Sequence, residues 1–215
     1  MKLIAINGSP RKTWNTATLL KKAAEGAQSV GAEAELIHLY DLNFQGCTSC
    51  FACKKKNSAM RGHCVMKDDL SPILETILQC DALLLGSPIY FSNVTGELLS
   101  MMERMMFSIL SYDGEGKLYY SKTIKTGFIY TMNAPQEALV QIGVSSLFES
   151  MQARLQRFYS APSPYMLSCD TYQFSNYGEY EVGRFDLAKK EKQRSEQFPH
   201  DCEEAYAFGK QLVSD

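Results

Sequence analysis

Three stretches of this chain are apolar almost without interruption: LIAI at 3–6, ALLLG at 82–86 and TGFIYTM at 126–132. A strand with one wet face alternates apolar and polar residues, whereas a strand covered on both faces does not. Runs of this kind confine the chain to folds in which helices flank a sheet on both sides. Helical patterns do fall between them. Leu19, Leu20, Ala23, Ala24 and Ala27 share one face, and Leu70, Ile73, Leu74, Ile77 and Leu78 share another behind the capping candidates Asp68 and Asp69, with Pro72 in the first turn. The segments from Val94 to Leu110 and from Leu139 to Phe158 supply two more. With AELIHLY (34–40) as a second strand and YMLSC (165–169) as a fifth, five strands alternate with four helices. The expected fold is an α/β domain with a doubly wound parallel sheet.

At 215 residues one core is the default. The 22 Lys and Arg nearly balance the 24 Asp and Glu, so the broad basic face that nucleic acids require is not expected. The first apolar run is only four residues long, with no cleavage pattern, and no stretch approaches the roughly 20 apolar residues of a membrane span. The chain therefore reads as cytoplasmic, without nucleic-acid or membrane partners.

Ligands of open α/β sheets sit beyond the carboxyl ends of the strands. The loop there after the first strand is AINGSPRKTWNTATLL (5–20). Ser9, Thr13, Asn15, Thr16 and Thr18 offer hydroxyl or amide groups, Arg11 and Lys12 offer charge, and the following helix offers free N–H groups at its start. Neither G-x-x-x-x-G-K-[ST] nor G-x-G-x-x-G is present, which argues against a triphosphate or a dinucleotide pyrophosphate. A hydroxyl-rich loop suits a terminal monophosphate, and flavin mononucleotide (FMN) is the ligand that fits. The alternative is that Asn15 or Thr16 merely caps the helix. Two further loops emerge on the same edge. Pro88, Ile89, Tyr90 and Phe91, with Asn93 beyond, place aromatic faces where a flat heterocycle could lie, and Thr131, Met132 and Asn133 add an apolar surface with polar handles.

Cys47, Cys50 and Cys53 form C-x2-C-x2-C, and Cys64 follows after ten further residues. Such spacing suits a [4Fe-4S] cluster. Free thiols whose acidity is raised by Lys54, Lys55 and Lys56 are the alternative, and zinc is a third. Cys80, Cys169 and Cys202 read as structural. His38, His63 and His200 have no partner spacing that marks a base or a ligand, and Ser145 and Ser146 lie inside a helical pattern rather than at a nucleophile elbow. Met101, Met102, Met105 and Met106 read as a packed helix face, with a dimer interface as the second reading.

Together NGSPRKTWNTATLL, CTSCFACKKK, CVMKDDL and GSPIYFSNVTGELLSMMER resemble the flavodoxin-fold NAD(P)H-dependent FMN reductases, and within them the branch related to iron-sulfur flavoproteins. In that branch the fourth cysteine follows the third more closely than Cys64 does. The resemblance implies a sheet ordered 2-1-3-4-5, non-covalent FMN, and homodimers whose tails reach toward the neighbour's flavin. It also implies that Ser9, Arg11, Asn15, Thr16 and Ala17 hold the phosphate while Pro88 to Phe91 and Asn93 line the isoalloxazine. Residues 1–170 are then the flavodoxin-like FMN-binding domain, with a Cys-rich insertion at 41–68. Residues 171–215 form an extension that packs on its own domain or on a partner subunit, and the aromatics Tyr172, Phe174, Tyr177, Tyr180 and Phe185 suit either a dimer contact or the edge of a core. The expected activity is an FMN-dependent oxidoreductase that takes hydride from NAD(P)H and passes electrons to a quinone, free flavin or protein acceptor. The runner-up is an iron-sulfur flavoprotein or flavodoxin-like electron carrier that does not oxidise NAD(P)H, and a cysteine-based metal or redox sensor is a third reading.

Overall fold

A computed structural model describes residues 1–214. Five parallel strands, β1 (Lys2–Asn7), β2 (Glu33–His38), β3 (Ala82–Pro88), β4 (Lys125–Thr131) and β5 (Tyr165–Ser168), pair in the order β2-β1-β3-β4-β5. Between them run α1 (Asn15–Ser29), α2 (Leu70–Gln79), α3 (Gly96–Ile109) and α4 (Ser145–Tyr159). The order turns at β1, where β2 lies on one side and β3 on the other, so the loops leaving β1 and β3 open next to each other.

The unbroken apolar strands divide by parity. Ile4, Ile6, Leu83 and Leu85 join the core beneath α2, α3 and α4, while Leu3, Ala5, Ala82 and Leu84 join the core beneath α1 and the C-terminal helix. Each fully buried Leu or Ile contributes about 1.5–3 kcal/mol over exposure. Met101, Met102 and Met105 are almost wholly buried in the first of these cores.

Two helix starts and one cap differ from the sequence expectation. Helix α3 begins at Gly96 rather than Val94, because the Thr95 hydroxyl accepts from Leu98 N–H as a true cap while Val94 packs into the core. Helix α4 begins at Ser145 rather than Leu139, because the apolar run before it folds into turns that end at Gly143, φ 69°. Asp69 does not cap α2 with its side chain; its carboxylate accepts from Asn43 N–H instead, while Asp68 accepts from Ser71 N–H.

Beyond β5 the chain crosses the carboxyl edge of the sheet. A stack of aromatics follows, with Phe174 parallel to Tyr180 at 4.0 Å and Tyr177 edge-on to Tyr172 and Phe174. Then come α5 (Leu187–Lys192), one wide turn (Gln193–Gln197) and α6 (Phe198–Leu212), which lies along α1. The two helices meet backbone to backbone. A Cβ on Gly209 would lie 1.9 Å from the Ala23 carbonyl oxygen, and one on Gly26 would lie 2.0 Å from that of Tyr206.

Candidate active site

The loop from β1 to α1 is fixed before any ligand is considered. Asn7 is wholly buried; its carboxamide accepts from Ser9 N–H at 3.1 Å, donates to Ser9 O at 3.3 Å, and meets His38 Nδ1 at 2.8 Å. Gly8 N–H donates to Gly86 O at 2.8 Å, and a Cβ at Gly8 would press on that same oxygen at 3.0 Å, so the strand ends approach as closely as they do only with glycine there. The Thr95 hydroxyl donates to Gly8 O at 2.7 Å, tying the start of α3 to the loop. Sequence reasoning missed Asn7 and Thr95, because their work is done across 31 and 87 residues.

Helix α1 then starts without a cap. Its N-cap position is Trp14, which has no suitable side-chain oxygen, and the first turn carries no acidic residue. Neither Asn15 nor Thr16 acts as the cap. Among the described residues no acceptor is found for the N–H groups of Asn15, Thr16 or Ala17, although all three residues are buried. Orphaned donors at the positive end of a 15-residue helix make an anion site.

These donors open into a cleft enclosing about 130 Å³, lined from β1–α1 by Ser9, Arg11, Trp14, Asn15 and Thr16. Pro88, Ile89 and Tyr90 line it after β3, and Thr131, Met132 and Asn133 after β4. Ten of the thirteen flavin-site residues expected from sequence thus share one cleft. Of the other three, Ala17 is buried in the first turn with only its N–H oriented by the helix, while Phe91 and Asn93 lie beyond the cleft. Tyr90 and Asn93 exchange backbone hydrogen bonds around Phe91 and Ser92, which both have positive φ, and Phe91 stands fully in solvent at the turn's tip. No carboxylate lines the cleft, and Arg11 is its one cation. The Thr16 and Thr131 hydroxyls are 2.7 Å apart, joining the first and third loops.

The tail supplies a wall that the sequence did not reveal. Thr171, Tyr172 and Gln173 line the cleft; the Tyr172 carbonyl accepts from Trp14 Nε1 at 3.1 Å and Asn15 Nδ2 at 2.8 Å, and the Gln173 carbonyl accepts from Arg11 at 2.6 Å. The Arg11 guanidinium lies 5.1 Å from the Trp14 ring centroid. Behind this wall, Lys190 is 4% exposed. It pairs with the Asp170 carboxylate and donates to Asn133 Oδ1 at 2.6 Å, Asn133 O at 3.1 Å and Asp170 O at 3.0 Å. One buried ammonium therefore joins the loops after β4 and β5.

A profile of the NADPH-dependent FMN reductase family matches residues 1–147. The chain belongs to this family. It is 44% identical over 104 residues to an iron-sulfur flavoprotein of Archaeoglobus fulgidus, an alignment covering 48% of each protein. An iron-sulfur flavoprotein of Methanocaldococcus jannaschii is 38% identical over 104 residues, covering 48% of this chain and 51% of the relative. The chain thus spans about half the length of the curated relatives it matches. In fold it superposes on the NAD(P)H:quinone oxidoreductase of Methanothermobacter marburgensis with a TM-score of 0.73 at 15% identity, over 99% of this chain and 98% of the other. The doubly wound sheet expected from the apolar runs, in the flavodoxin-like order implied by the resemblance, is the architecture observed.

Membership implies a flavin, and the orphaned N–H groups beside Arg11 have the chemistry to take its phosphate. The cysteines fare differently. Cys47 N–H donates to Glu103, Cys64 packs half-buried against the core, and Cys53 is buried beside Lys54. Burial pushes the Cys53 thiol up against the opposing pull of that ammonium. Lys54 itself donates to the carbonyls of Phe107, Ser108 and Leu110. Among the described residues no three His, Cys, Asp or Glu side chains gather where a metal could sit, so the thiols as arranged do not fit a [4Fe-4S] cluster. Cys80 is pushed up to about 12 and Cys169 to about 11, in both cases chiefly by burial, which keeps them as thiols. No described helix is long and apolar enough to cross a membrane.

Proposed function

We propose that this chain binds FMN non-covalently and acts as an NAD(P)H-dependent oxidoreductase that delivers electrons to a quinone, a free flavin or a protein acceptor. The observation that carries the reading is the uncapped start of α1, where the N–H groups of Asn15, Thr16 and Ala17 find no acceptor among the described residues, beside a cleft that Arg11 lines and no carboxylate does. These groups hold the phosphate, with Ser9 holding the loop shape by accepting from Arg11 N–H at 3.1 Å. The enclosed 130 Å³ is below the roughly 300–1,000 Å³ of a site that swallows a drug-sized ligand. It suits the phosphate end, and the open rim of Pro88, Ile89 and Tyr90, extended by Phe91 and Asn93, is left to the flat ring.

Bound FMN would supply hydride acceptance and onward electron transfer. The protein's part is to position it: Thr131, Met132 and Asn133 form the side of the cleft facing Pro88–Tyr90, and Lys190 holds Asn133 from behind. No histidine or carboxylate lines the cleft, in keeping with a reaction in which the cofactor needs no side-chain acid or base.

The test is anaerobic purification followed by absorption spectroscopy, iron assay and titration with NADH and NADPH. Yellow protein bleached by either nucleotide supports the reading, and flavin inert to both supports a carrier. A brown, iron-containing protein would favour the iron-sulfur flavoprotein reading, which the C-x2-C-x2-C run and the named relatives support. The double variant Arg11→Ala/Thr16→Ala is expected to retain at least tenfold less FMN after gel filtration, since hydrogen bonds to a charged group are worth about 1.5–3 kcal/mol each. Full retention would overturn the phosphate assignment.

A further inference from the structure

Beside the flavin cleft, and sharing Asn133 and Gln173 with it, lies a second and larger cavity of about 580 Å³. The loops after β4 and β5 form its floor and the tail its outer wall. Three cations reach it, Arg184, Lys189 and Lys190, against two carboxylates, Asp170 and Asp186. Both carboxylates are already engaged. Asp170 pairs with Lys190 and lies 3.9 Å from Lys189, and Asp186 caps α5 by accepting from Lys189 N–H at 3.0 Å. Lys189 spends its charge on Glu137 as well, at 3.2 Å. Arg184 has no carboxylate partner and no side-chain hydrogen bond among the described residues, so the net positive charge of the cavity resides at its mouth. Phe185 and Pro135 give it apolar surface. The neighbouring cavity on the far side of Asp170 differs in sign, with Glu137, Asp170 and Asp201 against Lys189 alone.

We infer that this cavity is the subsite for the phosphate-bearing adenosine half of the nicotinamide dinucleotide, with Arg184 as its principal phosphate contact. The inference deepens the reductase reading and rests on it. A dinucleotide whose nicotinamide lies in the flavin cleft must carry a second, anionic nucleotide out of that cleft, and this is the adjoining space with net positive charge and room for it. A guanidinium without a carboxylate partner can meet a phosphate with two parallel N–H donors and needs no existing pair to break first. The flavin's own phosphate is left to the start of α1, so the two anions are held by separate elements.

The experiment uses the flavin-loaded full chain, adenosine 2′,5′-bisphosphate as the probe, and the variant Arg184→Glu. Arg184 is exposed, so the variant should fold, and Lys21→Glu on α1 makes the same change in net charge away from the cavity. Calorimetric titration of the parent should show saturable binding, Lys21→Glu should match it, and Arg184→Glu should weaken it by about tenfold or more. In anaerobic stopped-flow, the concentration of NADPH giving half-maximal flavin bleaching should rise by a similar factor in Arg184→Glu, while flavin content stays at the parental level. Bleaching with unchanged NADPH dependence in Arg184→Glu, or no probe binding to the parent, overturns the subsite and leaves the reductase reading standing. Probe binding that Arg184→Glu abolishes, in a protein that neither nucleotide bleaches, upholds the cavity as an adenosine-phosphate site and removes the reductase reading.

Discussion

Replacing Gly209 by alanine should destabilise the protein even though alanine is the better helix former. In an isolated helix the change gains about 1 kcal/mol. Here the new methyl would stand 1.9 Å from the Ala23 carbonyl oxygen and 2.4 Å from its carbon, where ordinary contact begins near 3.4 Å. The obstacle is backbone, not the end of a flexible side chain, so α1 and α6 would have to part by more than an ångström along a contact that buries Ala23, Ala27, Ala205 and Leu212. Overpacking of this kind costs about 1–3 kcal/mol and occasionally more. With the displacement this large, a net loss of about 2 kcal/mol is expected after the propensity gain. For a chain of this length that lowers Tm by roughly 4–8 °C. Thermal melts followed by circular dichroism, checked by urea midpoints, measure it. Gly96→Ala is the control, because a Cβ there meets nothing within 4 Å. A Gly209→Ala protein that melts at or above the parental temperature would refute the close-approach argument.

Arg104 is wholly buried and forms a two-pronged pair with Asp68, whose carboxyl also accepts from Ser71. Burial pulls the Asp68 carboxyl up, but the hydrogen bonds from Arg104 and Ser71 outweigh it and hold the group below the usual carboxylate range. Asp68→Asn should therefore cost about 3 kcal/mol at pH 7 by stranding a buried guanidinium. Because the folded carboxyl is the stronger acid, this contribution is complete above the unfolded value of about 3.9 and fades as pH falls through the folded one. Urea midpoints of parent and variant should draw together as pH falls below about 4, and a gap that stays constant down to the acid limit of folding would contradict the pairing. Lys190→Met should cost about 3 kcal/mol by leaving the buried Asp170 only the more distant Lys189, with the double variant Lys190→Met/Asp170→Asn recovering part of it in the same assay. Equal stability of Lys190→Met and parent would remove Lys190 as the link between the two loops.

What the sequence made legible is what short-range pattern controls. Apolar runs covered on both faces read as strands of a doubly wound sheet, and the loop after the first strand stood out as a candidate anion site because its hydroxyl, amide and cationic side chains cluster in one short stretch. The start of α4 was misplaced because Leu139, Val140 and Ile142 continue a helical apolar pattern, yet Gly143 at positive φ ends a turn there and leaves Val140 and Ile142 exposed. The C-x2-C-x2-C run left a cluster, free thiols and zinc open from spacing alone, because where the thiols settle depends on groups such as Glu103, which lies on another helix, and Lys54. Gly26 and Gly209 look like flaws in helical segments until the partner helix is known. Likewise nothing local marks Lys190 as buried or Tyr172 as a wall of the cleft, since each acquires its role from a partner over 50 residues away.

The pairing of α1 with α6 also sets an order of events during biosynthesis. Helix α1 has to wait, one face uncovered, for residues 198–212 to emerge, and residues 171–173 complete the mouth of the cleft only shortly before. A nascent chain can build its sheet early, but the cleft lacks its outer wall until residues 171–173 are free, and α1 lacks its cover until α6 follows.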